Sequence, residues 1–311
     1  DMTCTQAVDH IRKTGIDKET VYVAYVTDAA RVLQGIVPLR TLLFAKPDDS
    51  IENIMDENVI CASTLDDKET VASLISRYDL LALPIVDREH RLVGIVTVDD
   101  AMDVMEAEAT EDMEKMAAIT PTDKPYLKTG VVSTFKARIP WLLLLMVSAT
   151  FTGLIIANFE NSLAVLPVLT AYIPMLMDTG GNCGSQSSVT VIRAISLSEV
   201  DFSDIFRIIW KELRVALLCG VVLAVANFGK MMLVDRLLLG NTSLSPMVAA
   251  VVCGTLVCTI ACAKFVGCSL PLLAKKIGLD PAVMASPFIT TIVDALSLLI
   301  YFAFAKSLLG V

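Results

Sequence analysis

The chain changes character near its middle. Residues 1–125 mix short apolar runs with charged positions, whereas from Ile139 onward apolar stretches alternate with short polar segments. An apolar stretch of about 20 residues is long enough for a helix to cross a bilayer. The pattern predicts a multi-domain protein, with a soluble half followed by an all-α membrane half of five transmembrane helices. The predicted spans are residues 139–159, 163–196 (interrupted), 205–233, 246–274 and 283–306.

An internal repeat occupies the soluble half. A helical stretch, a β-branched run and a Gly-Ile-Val strand follow one another in residues 5–38 and again in residues 68–97, which predicts two small α/β units. The repeat resembles the tandem CBS (cystathionine-β-synthase) module, with a first copy that lacks its opening strand. The resemblance implies ligand sensing, with a nucleotide as one ligand to consider, and an ordinary α/β domain is the alternative. His10 and His90 are expected to face solvent.

Residues 99–116 join the two halves and contain neither Gly nor Pro. Their helix formers predict one continuous helix, with acids on one face and methionines on the other. An ordinary amphipathic helix with a solvated acidic face is the simplest interpretation. A divalent-cation sensor is the alternative, because residues 1–125 hold 25 acids against 12 bases and oxygen ligands on a self-repelling surface attract Mg²⁺. The candidate regulatory ligands are Asp79, Asp99, Asp100, Asp103, Glu106 and Glu111.

Asp294 is an ionisable carboxylate at the centre of the apolar segment 283–306. An acid at the centre of a transmembrane helix costs about 2.5–3.5 kcal/mol to insert. Leu, Ile, Val, Phe and Ala surround it, so no nearby base in the segment offsets that cost. An intramembrane acid of this kind is by default functional, which makes Asp294 the first candidate site residue. The alternative is a carboxylate that only hydrogen-bonds a neighbouring helix.

The second predicted span has an unusual composition. Pro167, Pro174 and the run Asp178-Thr-Gly-Gly-Asn-Cys-Gly-Ser-Gln interrupt its apolar context, and such residues break or unwind a helix in its interior. Irregular backbone at membrane depth is buried in protein or lines a watery cavity, where its carbonyls can face an ion. We therefore expect a broken span that lines an ion path. A helix-packing seam at Gly180 and Gly184 is the alternative, and both can hold together.

The membrane motifs and the linker carry a resemblance to a known family. Residues 174–186 (Pro-Met-Leu-Met-Asp-Thr-Gly-Gly-Asn-Cys-Gly-Ser-Gln), 287–296 (Pro-Phe-Ile-Thr-Thr-Ile-Val-Asp-Ala-Leu) and 108–112 resemble the MgtE family of bacterial magnesium transporters or channels. The resemblance covers essentially the whole chain, without the family's helical cytosolic N domain. It implies a homodimer whose ion path follows the two-fold axis between the second and fifth spans. It also implies that Asp294 is the pore aspartate and that the linker is a plug helix, which closes the pore when intracellular Mg²⁺ binds among the CBS acids.

The coordination chemistry of Mg²⁺ agrees with that assignment. One Asp binds a dication weakly, but two carboxylates related by a two-fold axis can hold a hydrated Mg²⁺, which gives up its water reluctantly. Thr290 and Thr291, one turn before Asp294, offer candidate backbone carbonyls, and the second span adds Gly181 and Asn182. The expected ion is Mg²⁺, both transported and regulatory, with Co²⁺ or Mn²⁺ as further divalent cations.

The basic residues predict the orientation. With the soluble half in the cytoplasm, nine Lys and Arg residues flank the spans inside and three outside, as the positive-inside rule requires. Five spans then place the C-terminus outside the cytoplasmic membrane. The expected partners are a second copy of the chain, the lipid bilayer and divalent cations, and no nucleic acid. The predicted domains are 1–98 (CBS module), 99–136 (acidic helix and linker) and 137–311 (pore domain), and the start at Asp1 indicates further sequence upstream.

Two other functions fit parts of the sequence. Asp178 and Asp294 are intramembrane acids on separate spans, the minimum equipment of an intramembrane aspartyl protease. Asp294 lies in Val-Asp-Ala, however, outside a Gly-x-Gly-Asp context, and proteolysis gives no role to an ion-sensing module. A non-transporting membrane sensor is the third option. Transport is therefore the expected function, and enzymatic activity is not expected.

Overall fold

The computed structural model describes residues 2–122, 124–284 and 286–310. The chain forms two compact units, Asp1–Thr110 and Glu111–Val311. The division falls inside the helix that the sequence predicts for residues 99–116. The first unit combines sheets and helices, whereas the second is helical throughout its described elements.

The first copy of the repeat has two strands. Its elements are α1 (Cys4–Thr14), β1 (Val23–Thr27), β2 (Leu33–Pro38), α2 (Leu39–Phe44) and α3 (Ile51–Ile54). The strands pair antiparallel, and alternate residues of β2 are buried, as expected for a strand with one face on a core. That core contains Cys4, Val37, Leu42 and Ile51.

The second copy has a third strand. Its elements are β3 (Ala62–Ser63), α4 (Lys68–Arg77), β4 (Ala82–Val86) and β5 (Leu92–Thr97). Strand β4 lies in the middle, parallel to β3 and antiparallel to β5. Among the described residues of the first copy, β3 has no counterpart. The core of the second copy includes Val71, Ile75 and Leu83.

The turns between the two antiparallel strands have the same hydrogen bonds in both copies of the repeat. The Asp28 carboxylate accepts hydrogen bonds from the backbone two and four residues later, at 2.8 and 2.9 Å. Asp87 does the same at 3.0 and 2.8 Å. Arg31 and His90 follow these acids at equivalent places, with φ angles of 67° and 62°. The shared capping and backbone conformation confirm the internal repeat, and His90 is exposed, as expected.

Helix α5 (Val98–Met116) follows directly from β5 and confirms the continuous helix predicted for residues 99–116. Within the first unit, Ala101 is buried and Val104 packs on the core of the second copy. Met102 and Met105 are exposed. The buried stripe of α5 therefore lies between its acidic and methionine stripes.

The second unit is a helix bundle. Its helices are α6 (Val131–Asn158), α7 (Glu160–Val165), α8 (Ile173–Ser196), α9 (Ile205–Lys230), α10 (Pro246–Lys276) and α11 (Ser286–Leu309). In the described part of the chain, four segments are long and apolar enough to cross a membrane, namely Val131–Asn158, Phe202–Leu238, Pro246–Lys276 and Pro281–Leu309. They correspond to the first, third, fourth and fifth predicted spans. Helix α8 is not one of them, so the crossing at 163–196 stays a prediction.

Helix α8 is continuous where its composition predicted a break. Residues 178–186 are α-helical, so the expected unwinding at the glycine run is wrong. The irregular segment comes earlier, as a 3₁₀ turn (Pro167–Tyr172) that precedes α8. Pro174 lies in the first turn of α8, where the missing N–H has no intrahelical partner to lose.

Close packing explains why the glycines of α8 stay helical. A Cβ atom at Gly180 would lie 2.7 Å from a methyl group of Thr259 on α10. A Cβ atom at Gly184 would lie 2.7 Å from Ile289 on α11. Tertiary contact at these positions outweighs the low helix propensity of glycine. The packing seam at Gly180 and Gly184 is therefore the correct interpretation of this run.

Candidate functional site

A cavity of about 470 Å³ lies between α8 and the first half of α11. Four of the five predicted pore residues line it: Asp294, Thr290, Asn182 and Gly181. Thr291 is not among the lining residues. Asp178, which the sequence singled out only for the protease alternative, adds a second carboxylate to the same cavity.

Helical spacing brings these side chains together. Pro174, Asp178 and Gly181 recur at intervals of three and four residues, which places them on one face of α8. Thr290 and Asp294 are four residues apart on α11 and share a face for the same reason. Because Gly181 lacks a side chain, α8 approaches α11 closely, and a Cβ atom there would lie 3.0 Å from Thr290.

The two threonines make local hydrogen bonds. The Thr290 and Thr291 hydroxyls both donate to the Pro287 carbonyl, at 2.9 and 3.0 Å. Each hydroxyl therefore has its proton engaged within the first turns of α11. The charged groups that line the cavity are the half-buried carboxylate of Asp294 and the exposed carboxylate of Asp178.

Helix α8 has two contrasting faces. One face exposes a polar stripe at four-residue spacing, formed by Asp178, Asn182 and Gln186. The other face is buried against α10 and α11, and between residues 180 and 188 its buried side chains are all small, among them Gly180, Gly184, Ser187 and Ser188. Polar side chains on a helix held between apolar membrane helices belong on water or protein, and not on lipid.

The candidate regulatory acids lie mostly in solvent. Five of the six are exposed: Asp79, Asp99, Asp100, Asp103 and Glu106. Thr97 donates a hydrogen bond to Asp100 at 3.1 Å, and hydrogen bonding to Thr97 lowers the pKa of Asp99. Across residues 2–122, 124–284 and 286–310, no three His, Cys, Asp or Glu side chains gather as a metal group. Within one chain these acids form a dispersed charged surface.

Glu111 and the last turn of α5 have a different environment. Lys115 forms ion pairs with Glu111 and with Asp280, the latter at 2.6 Å. Burial alone would lower the pKa of Lys115, but the two carboxylates raise it above its usual value. Ser196, at the end of α8, donates to Asp112 at 3.1 Å. The end of α5 is thus fixed to α8 and to the segment between α10 and α11.

A buried ion pair in the membrane unit was missed by the sequence analysis. Lys264 on α10 lies 3.3 Å from Glu212 on α9, and both contact Ser187 on α8. A signal was present, since Lys264 interrupts the apolar stretch Ile260-Ala-Cys-Ala-Lys-Phe-Val. The rule that selected Asp294 applies equally to this lysine.

Comparison with known proteins decides the family. The profile of the MgtE family, described as a divalent cation transporter, matches residues 173–304, which contain the cavity, and the CBS domain profile matches residues 51–107. The magnesium transporter MgtE of Thermus thermophilus is 39% identical over 308 residues, which are 99% of this chain. The chain belongs to the MgtE family. This confirms the resemblance inferred from the membrane motifs, and it makes the protein a multi-pass membrane protein with a CBS pair.

Other MgtE proteins show the same similarity. The magnesium transporter MgtE of Bacillus subtilis is 36% identical over 305 residues, 98% of this chain. The chain spans 66% of the length of the Thermus thermophilus relative and 65% of the Bacillus subtilis relative. A solved cytosolic domain of the Mg²⁺ channel MgtE in complex with ATP is 44% identical, covering 33% of this chain and 42% of that chain, with a TM-score of 0.33. A superposition this limited carries no argument about the fold.

Proposed function

We propose that this MgtE family member conducts Mg²⁺ across the cytoplasmic membrane through the cavity at Asp294. The observation that carries the proposal is the placement of a half-buried carboxylate, in an apolar helix, on a cavity shared with Asp178 and Asn182. A carboxylate at membrane depth is costly unless water or an ion compensates it. The names of the curated relatives, magnesium transporters, point to the same ion.

The size of the cavity suits a hydrated ion. Mg²⁺ prefers six oxygen ligands and keeps most of its water. Six waters occupy roughly 180 Å³ at about 30 Å³ each, well within the cavity of about 470 Å³. Asp294, Asp178 and Asn182 would then hold the ion through its water shell. Such binding is weak enough for release, which conduction requires. Co²⁺ and Mn²⁺ are further candidate ions because they share the charge and the oxygen-rich ligand set.

A second copy of the chain would complete the pathway. The polar stripe of α8, at Asp178, Asn182 and Gln186, is exposed in a single chain, and lipid is an unfavourable neighbour for it. A two-fold partner would cover this stripe and bring two Asp294 carboxylates to one axis. In this arrangement α8 crosses the membrane with the four apolar spans, the N-terminal unit is cytoplasmic and the C-terminus lies outside.

Intracellular Mg²⁺ would close the pore by binding acids of α5 and the CBS pair. The exposed acids of one chain form no metal group within the described residues, so bridging by Mg²⁺ would draw acids together from facing surfaces. Charge repulsion among these acids keeps the surfaces apart when divalent ions are absent. Glu111 is the weakest candidate, because Lys115 already pairs with it.

The first repeat copy has room for a nucleotide. A cavity of about 930 Å³ lies beside β1 and is lined in part by His10, Tyr25, Asp28 and Glu57. Small-molecule sites typically have volumes of about 300–1,000 Å³. We expect ATP to bind there, and calorimetric titration of the full chain with ATP and ADP tests this. Absence of binding heat at millimolar nucleotide would reject it.

Reconstitution tests the transport proposal against its alternatives. Liposomes that contain the protein and a Mg²⁺-sensitive dye should take up Mg²⁺ faster than dye-loaded liposomes without protein. The same preparation should not cleave a transmembrane peptide, although Asp178 and Asp294 share a cavity as a protease pair would. Cleavage without uptake would favour the protease, and neither activity would favour a sensor that does not transport.

A further inference from the structure

Three side chains from three helices meet inside the membrane unit. The ammonium group of Lys264 on α10 donates to the Ser187 hydroxyl on α8 at 3.0 Å. Ser187 donates its own proton to a carboxylate oxygen of Glu212 on α9, at 2.6 Å. The same oxygen lies 3.3 Å from the Lys264 nitrogen. Donor, acceptor and ion pair close a triangle in which the serine hydroxyl both donates and accepts.

The triangle is shielded from solvent. The Lys264 side chain is 6% exposed and that of Glu212 is 13% exposed, while Ser187 as a whole is 1% exposed. Both charges lie on segments that qualify as membrane spans. Ionised groups there are expensive unless each offsets the other and hydrogen bonds satisfy the rest. An apolar contact would hold α9 and α10 together at a lower cost in desolvation. We therefore expect the buried ion pair to have a function beyond helix association.

The position of Ser187 on α8 suggests that role. Ser187 lies on the buried face of the helix whose opposite side contributes Asp178 and Asn182 to the cavity. Around it, α8 is held by close packing, since a Cβ atom at Gly267 of α10 would overlap the Gly184 carbonyl oxygen. This contact limits how near the backbones of α8 and α10 can come. Hydrogen bonds are directional, so those of Ser187 fix the rotation of α8 about its axis and its position along that axis.

We propose that Lys264 and Glu212 are positioning residues for transport, which act through Ser187 to hold the cavity face of α8 at a set distance from Asp294. This inference rests on the proposed function, since it assigns the triangle to the width of the same ion path. The triangle itself does not touch the ion. Its loss would let α8 rotate or slide, so that Asn182 and Asp294 no longer fit one hydrated Mg²⁺.

Ser187→Ala is the sharpest variant, because it releases α8 and leaves the Lys264–Glu212 pair in place. Ser188→Ala is its matched control: Ser188 is the next residue on the helix, is fully buried, and has no hydrogen-bond partner among the described residues. Ser187→Cys is a second test variant, since a thiol keeps the volume but is a weak hydrogen-bond partner. All three are compared with the unmodified full chain in liposomes.

The readout separates positioning from folding. Loss of folded protein lowers the maximal flux and leaves the half-saturating Mg²⁺ concentration unchanged. We expect Ser187→Ala and Ser187→Cys to raise that concentration at least about tenfold, the factor that one hydrogen bond to a charged group represents. The two Ser187 variants should also lower the ratio of Mg²⁺ flux to flux of the larger Ca²⁺. Ser188→Ala should match the unmodified chain in both quantities.

Three outcomes overturn the inference, and each has a different meaning. If the unmodified chain takes up Mg²⁺ and both Ser187 variants keep its half-saturating concentration and ion preference, the triangle only supports folding, and the proposed function stands. A Ser188→Ala shift as large as that of Ser187→Ala would also reject a specific role for the triangle. If the unmodified chain takes up no Mg²⁺, the proposed function fails, and this inference fails with it.

Discussion

The two faces of α8 follow opposite rules. The buried face carries Gly180, Gly184 and Ser187 and is fixed by contact with α10 and α11. The exposed face carries Asp178, Asn182 and Gln186 and has polar atoms that the single chain leaves open. Small side chains on the first face bring the helices together, and polar side chains on the second face are what an ion would meet. The first face thus serves mainly packing, with Ser187 as the proposed exception, and the second face serves transport.

This separation predicts which property each substitution changes. Changes on the buried face should lower stability first, because the space there is already filled. Changes on the exposed face should alter transport while the bundle keeps its stability, since surface substitutions away from packing features usually change stability by about 0.5 kcal/mol or less.

Gly267→Ala should have one of the largest effects on folding. The added methyl group would overlap the carbonyl oxygen of Gly184, and backbone atoms cannot rotate away as a side chain can. We expect a loss of about 3 kcal/mol, at the upper end of overpacking, measured by thermal unfolding in detergent. Gly254→Ala on the same helix is the control, because its nearest neighbour would be Phe304 at 3.5 Å, an ordinary contact. Equal melting temperatures for the two variants would contradict the close approach of α8 and α10.

Lys264→Met should destabilise the protein by at least a similar amount. It leaves Glu212 buried without its cationic partner, and breaking a buried pair on one side costs about 3–5 kcal/mol. The double variant Lys264→Met with Glu212→Gln removes both charges and should regain much of that loss. The measurement is again thermal unfolding in detergent. Additive losses in the double variant would show that the two charges are not coupled.

Lys264 and Glu212 also show where sequence reasoning ends. Asp294 could be found because one local rule, an acid inside an apolar helix, is sufficient to identify it. Lys264 satisfies the same rule for bases, yet its partners lie 52 and 77 residues away, and no spacing links them. Which buried charge has a partner and which faces a cavity depends on helix packing, and the sequence does not contain that information in any short window.

The glycine run of α8 teaches a related lesson. Local propensity predicted a break in residues 178–186, but the helix continues because Gly180 and Gly184 fit against neighbouring helices. Propensity is a weak guide where tertiary contact decides. The internal repeat, the helix at 99–116 and four of the five apolar spans needed only period and length, and these were predicted correctly.

Asn182→Ala should separate transport from stability. Asn182 is exposed and lines the cavity, so its removal should leave the melting temperature unchanged. Mg²⁺ flux should fall about fivefold, as expected for the loss of one hydrogen bond to the water shell of the ion. Gln186→Ala is the control, because Gln186 has the same amide group one turn later and is not among the residues that line the cavity. A larger flux loss in Gln186→Ala than in Asn182→Ala would show that the ion path lies closer to Gln186.

Neutralising the acids of the cytosolic half should give the smallest effect per residue. Exposed charges each contribute little, so changing Asp79, Asp99, Asp100, Asp103 and Glu106 together to amides should raise the Mg²⁺ concentration that closes the pore about tenfold. Any one change alone should have less than a twofold effect.

A control with the same net charge makes that test specific. Five other exposed acids of the first unit, changed together to amides, remove equal charge at other places: Asp9, Asp17, Glu19, Asp48 and Glu89. The closing concentration, read from flux in liposomes with Mg²⁺ on the cytoplasmic side, should stay near that of the unmodified chain. If both sets shift it equally, only net charge matters and the acids of α5 have no special place in gating.

The most direct test of the account is Mg²⁺ flux through Asp294→Asn in liposomes. The amide keeps the size of the side chain and removes its charge, so the melting temperature should not fall, while flux should drop at least about tenfold for lost contacts to a charged group. Glu160→Gln removes an exposed acid of the same unit that does not line the cavity, and its flux should match that of the unmodified chain. Unmodified flux through Asp294→Asn would contradict the central claim that this carboxylate is the main group that holds the hydrated ion in the membrane.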